Sequence, residues 1–122
     1  MRPSLALSIG AVAAFVPGLA GVFAPEPVLS AFGLGTPTEA LIQTRDLGTA
    51  LMAIGVINWM ARHSVGAPLR GLLWGNIFFQ VVTIIVHGWE IVAGLFPAWA
   101  PAVLVLPLAL VVMYALALRR GA

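Results

Sequence analysis

The chain has 122 residues, of which 61% are hydrophobic and 8% charged, and its formal net charge is +2. About a quarter of the residues of a soluble domain are charged, so this composition excludes a soluble globular enzyme, a disordered tail and a nucleic-acid-binding protein. The chain contains no cysteine, which excludes disulfide scaffolds, iron–sulfur clusters and thiolate zinc sites.

Long apolar segments occupy most of the sequence. A helix that crosses a bilayer needs about 20 mostly apolar residues. The segments that meet this requirement are residues 4–23, 38–61, 69–92 and 99–118. Since only short loops remain, we predict one transmembrane domain over residues 1–122, all α-helical, with its helices packed as a four-helix bundle.

The loop after the first segment is itself largely apolar. Pro25-Glu26-Pro27 is followed by an apolar stretch at residues 28–34, so we predict a short helix that lies in the outer membrane interface. The first segment also has the length of a signal peptide with a small-residue cleavage site after Ala24. Because Pro25 is a poor residue to follow such a site, we expect this segment to be retained as a span.

Basic and acidic residues separate toward opposite ends of the predicted spans. All arginines except Arg45 fall on one side: Arg2, Arg62, Arg70, Arg119 and Arg120. The acidic residues fall toward the other side: Glu26, Glu39, Asp46 and Glu90. Basic loops remain in the cytoplasm, so we predict a multi-pass protein with both termini cytoplasmic. The use of arginine without lysine, with abundant alanine, glycine and proline, suggests a bacterial chain and hence the inner membrane.

The third segment carries a periodic polar pattern. Its strongly polar residues follow one another at spacings of 4, 3, 4 and 3: Asn76, Gln80, Thr83, His87 and Glu90. This spacing places the five residues, here called the polar stripe, on one face of a helix. Because polar groups that face lipid are costly, we expect the polar stripe to face the bundle interior, a cavity or another subunit.

The second segment adds charged residues at a similar depth. Arg45 and Asp46 lie near the level of His87 and Glu90 when both helices are centred in the membrane. Neighbouring residues on a helix do not face each other, so each should find its partner on another helix. We predict that Arg45 pairs with Glu90 and that Asp46 pairs with His87.

Small residues recur in the first two segments. Gly10 and Gly18 in the first segment, and Gly48 and Gly55 in the second, are typical of faces where membrane helices approach closely. The fourth segment has no strongly polar group except Tyr114. We therefore expect the fourth segment to be the one that faces lipid.

These polar residues define the candidate site. The candidate ligand-binding residues are Arg45, Asp46, Asn76, Gln80, Thr83, His87 and Glu90, and the candidate catalytic residues are His87, Glu90 and Asp46. His87 would act as the acid or base, and a neighbouring carboxylate would tune it. We predict no metal site, because the pair His87-x-x-Glu90 lacks the second such element that carboxylate metal sites in bundles use. We also expect no cofactor.

Short motifs in the first half of the chain resemble a known family. They are an F-x-P and F-G loop, an R-D-x-G start to the second helix and a basic turn after it, found at Phe23–Pro25, Phe32–Leu34, Gln43–Gly48 and Gly55–Arg62. In these motifs the chain resembles the DoxX-like group of small four-helix bacterial membrane proteins. The resemblance implies the four-helix membrane fold and no particular activity.

Three kinds of function fit these observations. The first is a non-enzymatic accessory or scaffold subunit, or a homo-oligomer, in which the polar stripe fixes helix register or a subunit contact. The second is a binding protein or enzyme for an apolar ligand such as a quinone, an isoprenoid or a sterol-like lipid, with its polar site near the outer leaflet. The third is a small proton-coupled transporter. We expect the first, in contact with the lipid bilayer and without a nucleic-acid partner.

Overall fold

The computed structural model describes residues 1–97 and 99–121 of the chain. Within these residues the chain forms helices and no strand, which confirms the all-α prediction. The helices are α1 (Pro3–Phe23), α2 (Pro25–Ala31), α3 (Thr38–Met60), α4 (Gly66–Val92), a short 3-10 helix (Ala100–Leu104) and α5 (Val105–Gly121). The predicted single domain over residues 1–122 includes residues 98 and 122, which lie outside the described residues. The extent of this domain therefore remains a prediction.

Four helical stretches are long and apolar enough to cross a membrane: α1, α3, α4 and Pro101–Gly121. They overlap the four predicted segments, although α4 begins at Gly66 rather than at residue 69. Gly66 takes a left-handed φ of 67°, which only glycine adopts freely and which turns the chain into the helix. Pro68 then lies in the first turn of α4. Backbone N–H groups have no partner within the helix there, so the missing N–H of proline costs no hydrogen bond.

The predicted short helix between the first two spans is confirmed as α2, which contacts both α1 and α3. It ends in a Schellman turn, in which Gly33 has a φ of 69°. The Gly33 N–H donates to the Ser30 carbonyl and the Leu34 N–H donates to the Leu29 carbonyl, each at 3.0 Å. Pro25 and Leu29 are buried, so α2 is packed against the ends of the long helices.

α1 and α3 share the most extensive contact between any two helices, and glycine makes it possible. A methyl group at Gly48 would lie 2.6 Å from the Gly18 carbonyl oxygen, and one at Gly55 would lie 2.8 Å from the Ala11 carbonyl oxygen. Side chains do not fit at such separations, so the prediction that these glycines mark faces of close helix approach is confirmed, and the two faces meet each other. Because Gly48 lies opposite Gly18 and Gly55 lies opposite Ala11, the two helices run antiparallel.

The largest group of buried side chains lies between α1, α4 and α5. Its members are Ala6, Leu7, Leu69, Leu73, Leu110, Met113, Tyr114 and Ala117. Tyr114 is 1% exposed and its hydroxyl contacts Gly10, where any side chain would collide with it. The prediction that the fourth span faces lipid is therefore wrong. Lipid and protein core are both apolar, so an apolar sequence does not distinguish the two surroundings.

The helices are arranged in the order α3, α1, α5, α4, with each helix packed on the next. Pro3 of α1 approaches Gly121 of α5, so both ends of the described chain lie at one end of the molecule, here called the termini end. The opposite end, where α4 stops, is called the distal end. Among the described residues α3 and α4 come together at few positions, and polar side chains occupy that seam.

Candidate functional site

A pair of buried asparagines joins α3 to α4. The Asn58 Nδ2 donates to the Asn76 Oδ1, and the Asn76 Nδ2 donates to the Asn58 Oδ1, both at 2.9 Å. The Asn76 Nδ2 also donates to the Leu72 carbonyl at 2.9 Å. Asn58 is 1% exposed and Asn76 is 9% exposed. Because both buried amides are hydrogen-bonded, this pair acts as a structural link between the two helices.

Asn76 was predicted as a candidate site residue, whereas Asn58 was not. A signal for Asn58 was present, because it lies three residues beyond Gly55 on the close-approach side of α3. Asn58 lies two residues before the end of α3, whereas Asn76 lies ten residues into α4, so distance from the connecting turn did not predict their pairing.

The other four members of the polar stripe, Gln80, Thr83, His87 and Glu90, form what is here called the distal stripe, and all four are half-buried. The Thr83 hydroxyl donates to the Phe79 carbonyl of its own helix at 2.8 Å. The His87 Nδ1 lies 3.4 Å from the Glu90 Oε1, one turn along α4. This nitrogen is buried and has no hydrogen-bond partner among the described residues. Within those residues, the hydrogen bonds of the distal stripe do not reach another helix.

Arg45 and Asp46 are exposed on α3. The predicted pairs of Arg45 with Glu90 and of Asp46 with His87 do not form within the described chain, where the contact between His87 and Glu90 takes their place. The rotation of α3 gives the reason, because Gly48 must face α1. Asp46 is two residues away and points roughly 200° around the helix from Gly48, so it faces outward.

Aromatic side chains lie beside His87 at the distal end. The His87 and Phe96 rings are 5.8 Å apart and nearly perpendicular, at 79°. Phe32, at the end of α2, lies 6.2 Å from Phe96 and 5.7 Å from Trp99 between ring centroids. These three aromatic residues, here called the distal cap, were not predicted as part of the site. Their occurrence in loops at the ends of apolar segments was the available signal, since aromatic residues favour membrane interfaces.

The distal stripe offers hydrogen-bonding groups to another molecule. Gln80 supplies a donor and an acceptor, His87 an imidazole, and Glu90 a carboxylate acceptor. Within the described residues, no three His, Asp or Glu side chains are grouped so that they could hold a metal ion. Comparisons with known protein families, with curated proteins and with solved structures find no match to this chain.

Proposed function

We propose that the chain is a multi-pass protein of the bacterial inner membrane, with its four long helices forming a transmembrane bundle and both termini in the cytoplasm. The four apolar helices support membrane insertion. The arginines gathered toward the termini end support the orientation, because basic loops stay in the cytoplasm. The resemblance to the DoxX-like group supports the same fold and is part of this proposal.

Within that membrane the chain acts as a non-enzymatic subunit that associates with copies of itself. The observation that carries this proposal is the exposure of Arg45 and Asp46 on α3, toward the same end of the molecule as the half-buried Glu90 of α4. Arg45, Asp46 and Glu90 bring charges of both signs to one region of the chain. Charged groups at membrane depth are paired with one another or face water, so a second copy is their natural source of partners.

The geometry of a membrane makes such pairing possible. Copies inserted in the same orientation hold equivalent residues at the same depth, and apart from the asparagine pair α3 and α4 make few contacts with each other. When α3 of one copy meets α4 of the next, Arg45 faces Glu90 and Asp46 faces His87. Such a head-to-tail contact closes into a ring when the rotation between copies allows it. The sequence-predicted pairs are then formed between subunits rather than within one chain.

The pairing predicts the result of a charge reversal. Native mass spectrometry from a mild detergent should show a defined homo-oligomer of the wild-type chain. Arg45→Glu should weaken the association about tenfold, because a hydrogen-bonded charged contact is replaced by repulsion from Glu90. Combining Arg45→Glu with Glu90→Arg should restore the oligomer, because the two charges are exchanged.

A charge change elsewhere on α3 is the control. Glu39→Arg alters the charge of an exposed residue in the first turn of the same helix and should leave the subunit distribution unchanged. A wild-type chain that stays monomeric at every concentration contradicts the proposal. So does an Arg45→Glu variant with the same oligomer population as the wild type.

A second candidate function is the binding of an apolar, lipid-like ligand such as a quinone, an isoprenoid or a sterol-like lipid. The specific observation in its favour is the buried His87 Nδ1 that has no hydrogen bond among the described residues. The neighbouring Phe96 ring supplies an apolar wall. A ligand with one polar group could hydrogen-bond to this imidazole while its apolar part lies along the distal cap.

The same mass spectra test this second candidate. A ligand at His87 should appear as a constant mass increment for each protomer, and His87→Ala should lose that increment. Thr83→Val is the matched control, because the Thr83 hydroxyl is already satisfied within its own helix. If no protomer carried a mass increment, the ligand-binding function would be excluded and only the subunit function would remain.

A further inference from the structure

An open cleft at the termini end is lined by basic side chains. Its volume is about 540 Å³, and Arg2, Arg62, His63 and Arg120 contribute to its wall. These residues come from the start of α1, the turn after α3 and the end of α5. Leu5 adds an apolar wall, and none of the described lining residues is acidic.

Within the described residues, no acidic side chain neutralises the positive charge of this basic cleft. Asp46 is the acidic residue nearest to Arg62 in the sequence, and the helix from Asp46 to Met60 at the end of α3 alone spans about 21 Å. None of the arginines forms an ion pair within the described residues. Arg62 is nevertheless held in place, since it donates to the Trp59 carbonyl and its guanidinium carbon lies 4.0 Å from the centre of the Trp59 ring.

An apolar groove lies along the seam between α1 and α3, on the same face of α1 as the basic cleft. Its volume is about 260 Å³, and its walls include Val12, Phe15, Val16, Val56 and Met60. Val12 in the groove lies one helical turn after Ser8 in the basic cleft. Trp59 in the groove stacks against the Arg62 guanidinium of the basic cleft. The charged cavity and the apolar one therefore follow each other along one face of α1, about one helical turn apart.

We propose that this seam binds one acidic phospholipid, with its phosphate in the basic cleft and an acyl chain in the apolar groove. Guanidinium groups form paired hydrogen bonds to phosphate oxygens. Basic pockets between transmembrane helices on the cytoplasmic side are suited to anionic headgroups. The proposal rests on the membrane insertion and orientation proposed above, and it does not depend on the association of subunits.

The test uses native mass spectrometry of the full-length chain with three probes. They are phosphatidylglycerol, phosphatidylcholine and soluble glycerol phosphate, which carries the headgroup chemistry without acyl chains. Phosphatidylglycerol should remain bound, while phosphatidylcholine, without a net charge, and glycerol phosphate, without a chain for the groove, should be retained much less. Arg120→Gln should lower the bound fraction of phosphatidylglycerol about fivefold, the effect expected for one arginine at a membrane surface.

Arg119→Gln is the matched control, because Arg119 has the same charge and neighbouring position but does not line the basic cleft. It should retain phosphatidylglycerol like the wild type. Val12→Trp should reduce retention by filling the groove, since Val12 is exposed and its change does not disturb the core. The proposal would be overturned if Arg119→Gln and Arg120→Gln lost phosphatidylglycerol to the same extent. It would also be overturned if phosphatidylcholine or glycerol phosphate were retained as well as phosphatidylglycerol. The oligomer mass is read separately in each spectrum, so failure of the subunit proposal remains distinguishable.

Discussion

Replacing Gly48 with alanine is expected to destabilise the fold by about 3 kcal/mol, the upper part of the usual range for overpacking. The added methyl group would lie 2.6 Å from the Gly18 carbonyl oxygen and 2.9 Å from the Val22 backbone nitrogen. Both neighbours are backbone atoms of α1, so they cannot move aside by a side-chain rotation. α1 and α3 would have to separate, and much of the most extensive helix contact in the molecule would be lost.

Gly75→Ala is the control for this prediction. Gly75 is also a helical glycine, but a methyl group there would meet no atom within 4 Å. Alanine is favoured over glycine inside a helix by about 1 kcal/mol, so this variant should be as stable as the wild type or slightly more stable. The measurement is thermal unfolding in detergent, followed by circular dichroism. Equal destabilisation of both variants would contradict the packing of α1 on α3.

The helices, and the glycine faces that meet at the closest helix contact, could be predicted from the sequence for physical reasons. Four apolar segments of membrane-spanning length have few alternatives to helices, because a helix satisfies its backbone hydrogen bonds internally. Glycines seven residues apart, as at Gly48 and Gly55, mark one face of a helix. That face meets α1 because α1 also carries small residues, including Gly18. The length of an apolar segment and the spacing of its glycines are local properties of the sequence. The helices and their glycine faces could therefore be predicted from them.

The charged contacts could not be predicted in the same way. Depth along a helix follows from sequence position, but the rotation of each helix depends on what packs against it. Gly48 directs one side of α3 toward α1, and that rotation turns Asp46 away from the neighbouring helices. The burial of Tyr114 was missed for a related reason, because the slot for its ring is made by Gly10 on another helix. The rotation of α3 and the burial of Tyr114 both depend on how two helices pack together, which the sequence of a single helix does not show.

The polar stripe has two parts. The satisfied part is Asn76, which is hydrogen-bonded to α3, and the open part is the distal stripe, which makes no described hydrogen bond to another helix. At Asn76 the side chain is buried and bonded to α3, whereas the distal stripe is half-buried and makes its described hydrogen bond and ion pair within α4. Interhelical hydrogen bonds of the first kind hold a bundle together. The proposed subunit contact and the proposed ligand site both use the second part, so the two parts should respond differently to mutation.

Asn58→Leu tests the satisfied part and is expected to destabilise the fold by about 2 kcal/mol. Leucine has a similar volume, so the change creates little cavity, but it removes both hydrogen bonds to Asn76. The Asn76 amide would then keep its bond to the Leu72 carbonyl while its oxygen stays buried without a donor. The measurement is chemical unfolding in detergent, with helix content as the signal.

The double variant Asn58→Leu with Asn76→Leu separates the pair from its surroundings. It should be more stable than the sum of the two single changes predicts, by about 1 kcal/mol, because no unsatisfied amide remains once both partners are apolar. Gln80→Leu is the matched control on the same stripe. Since Gln80 is half-buried and has no described bond to another helix, this change should alter unfolding little. Strict additivity of the two asparagine changes would show that the link between α3 and α4 contributes nothing of its own, and the division of the polar stripe would then fail.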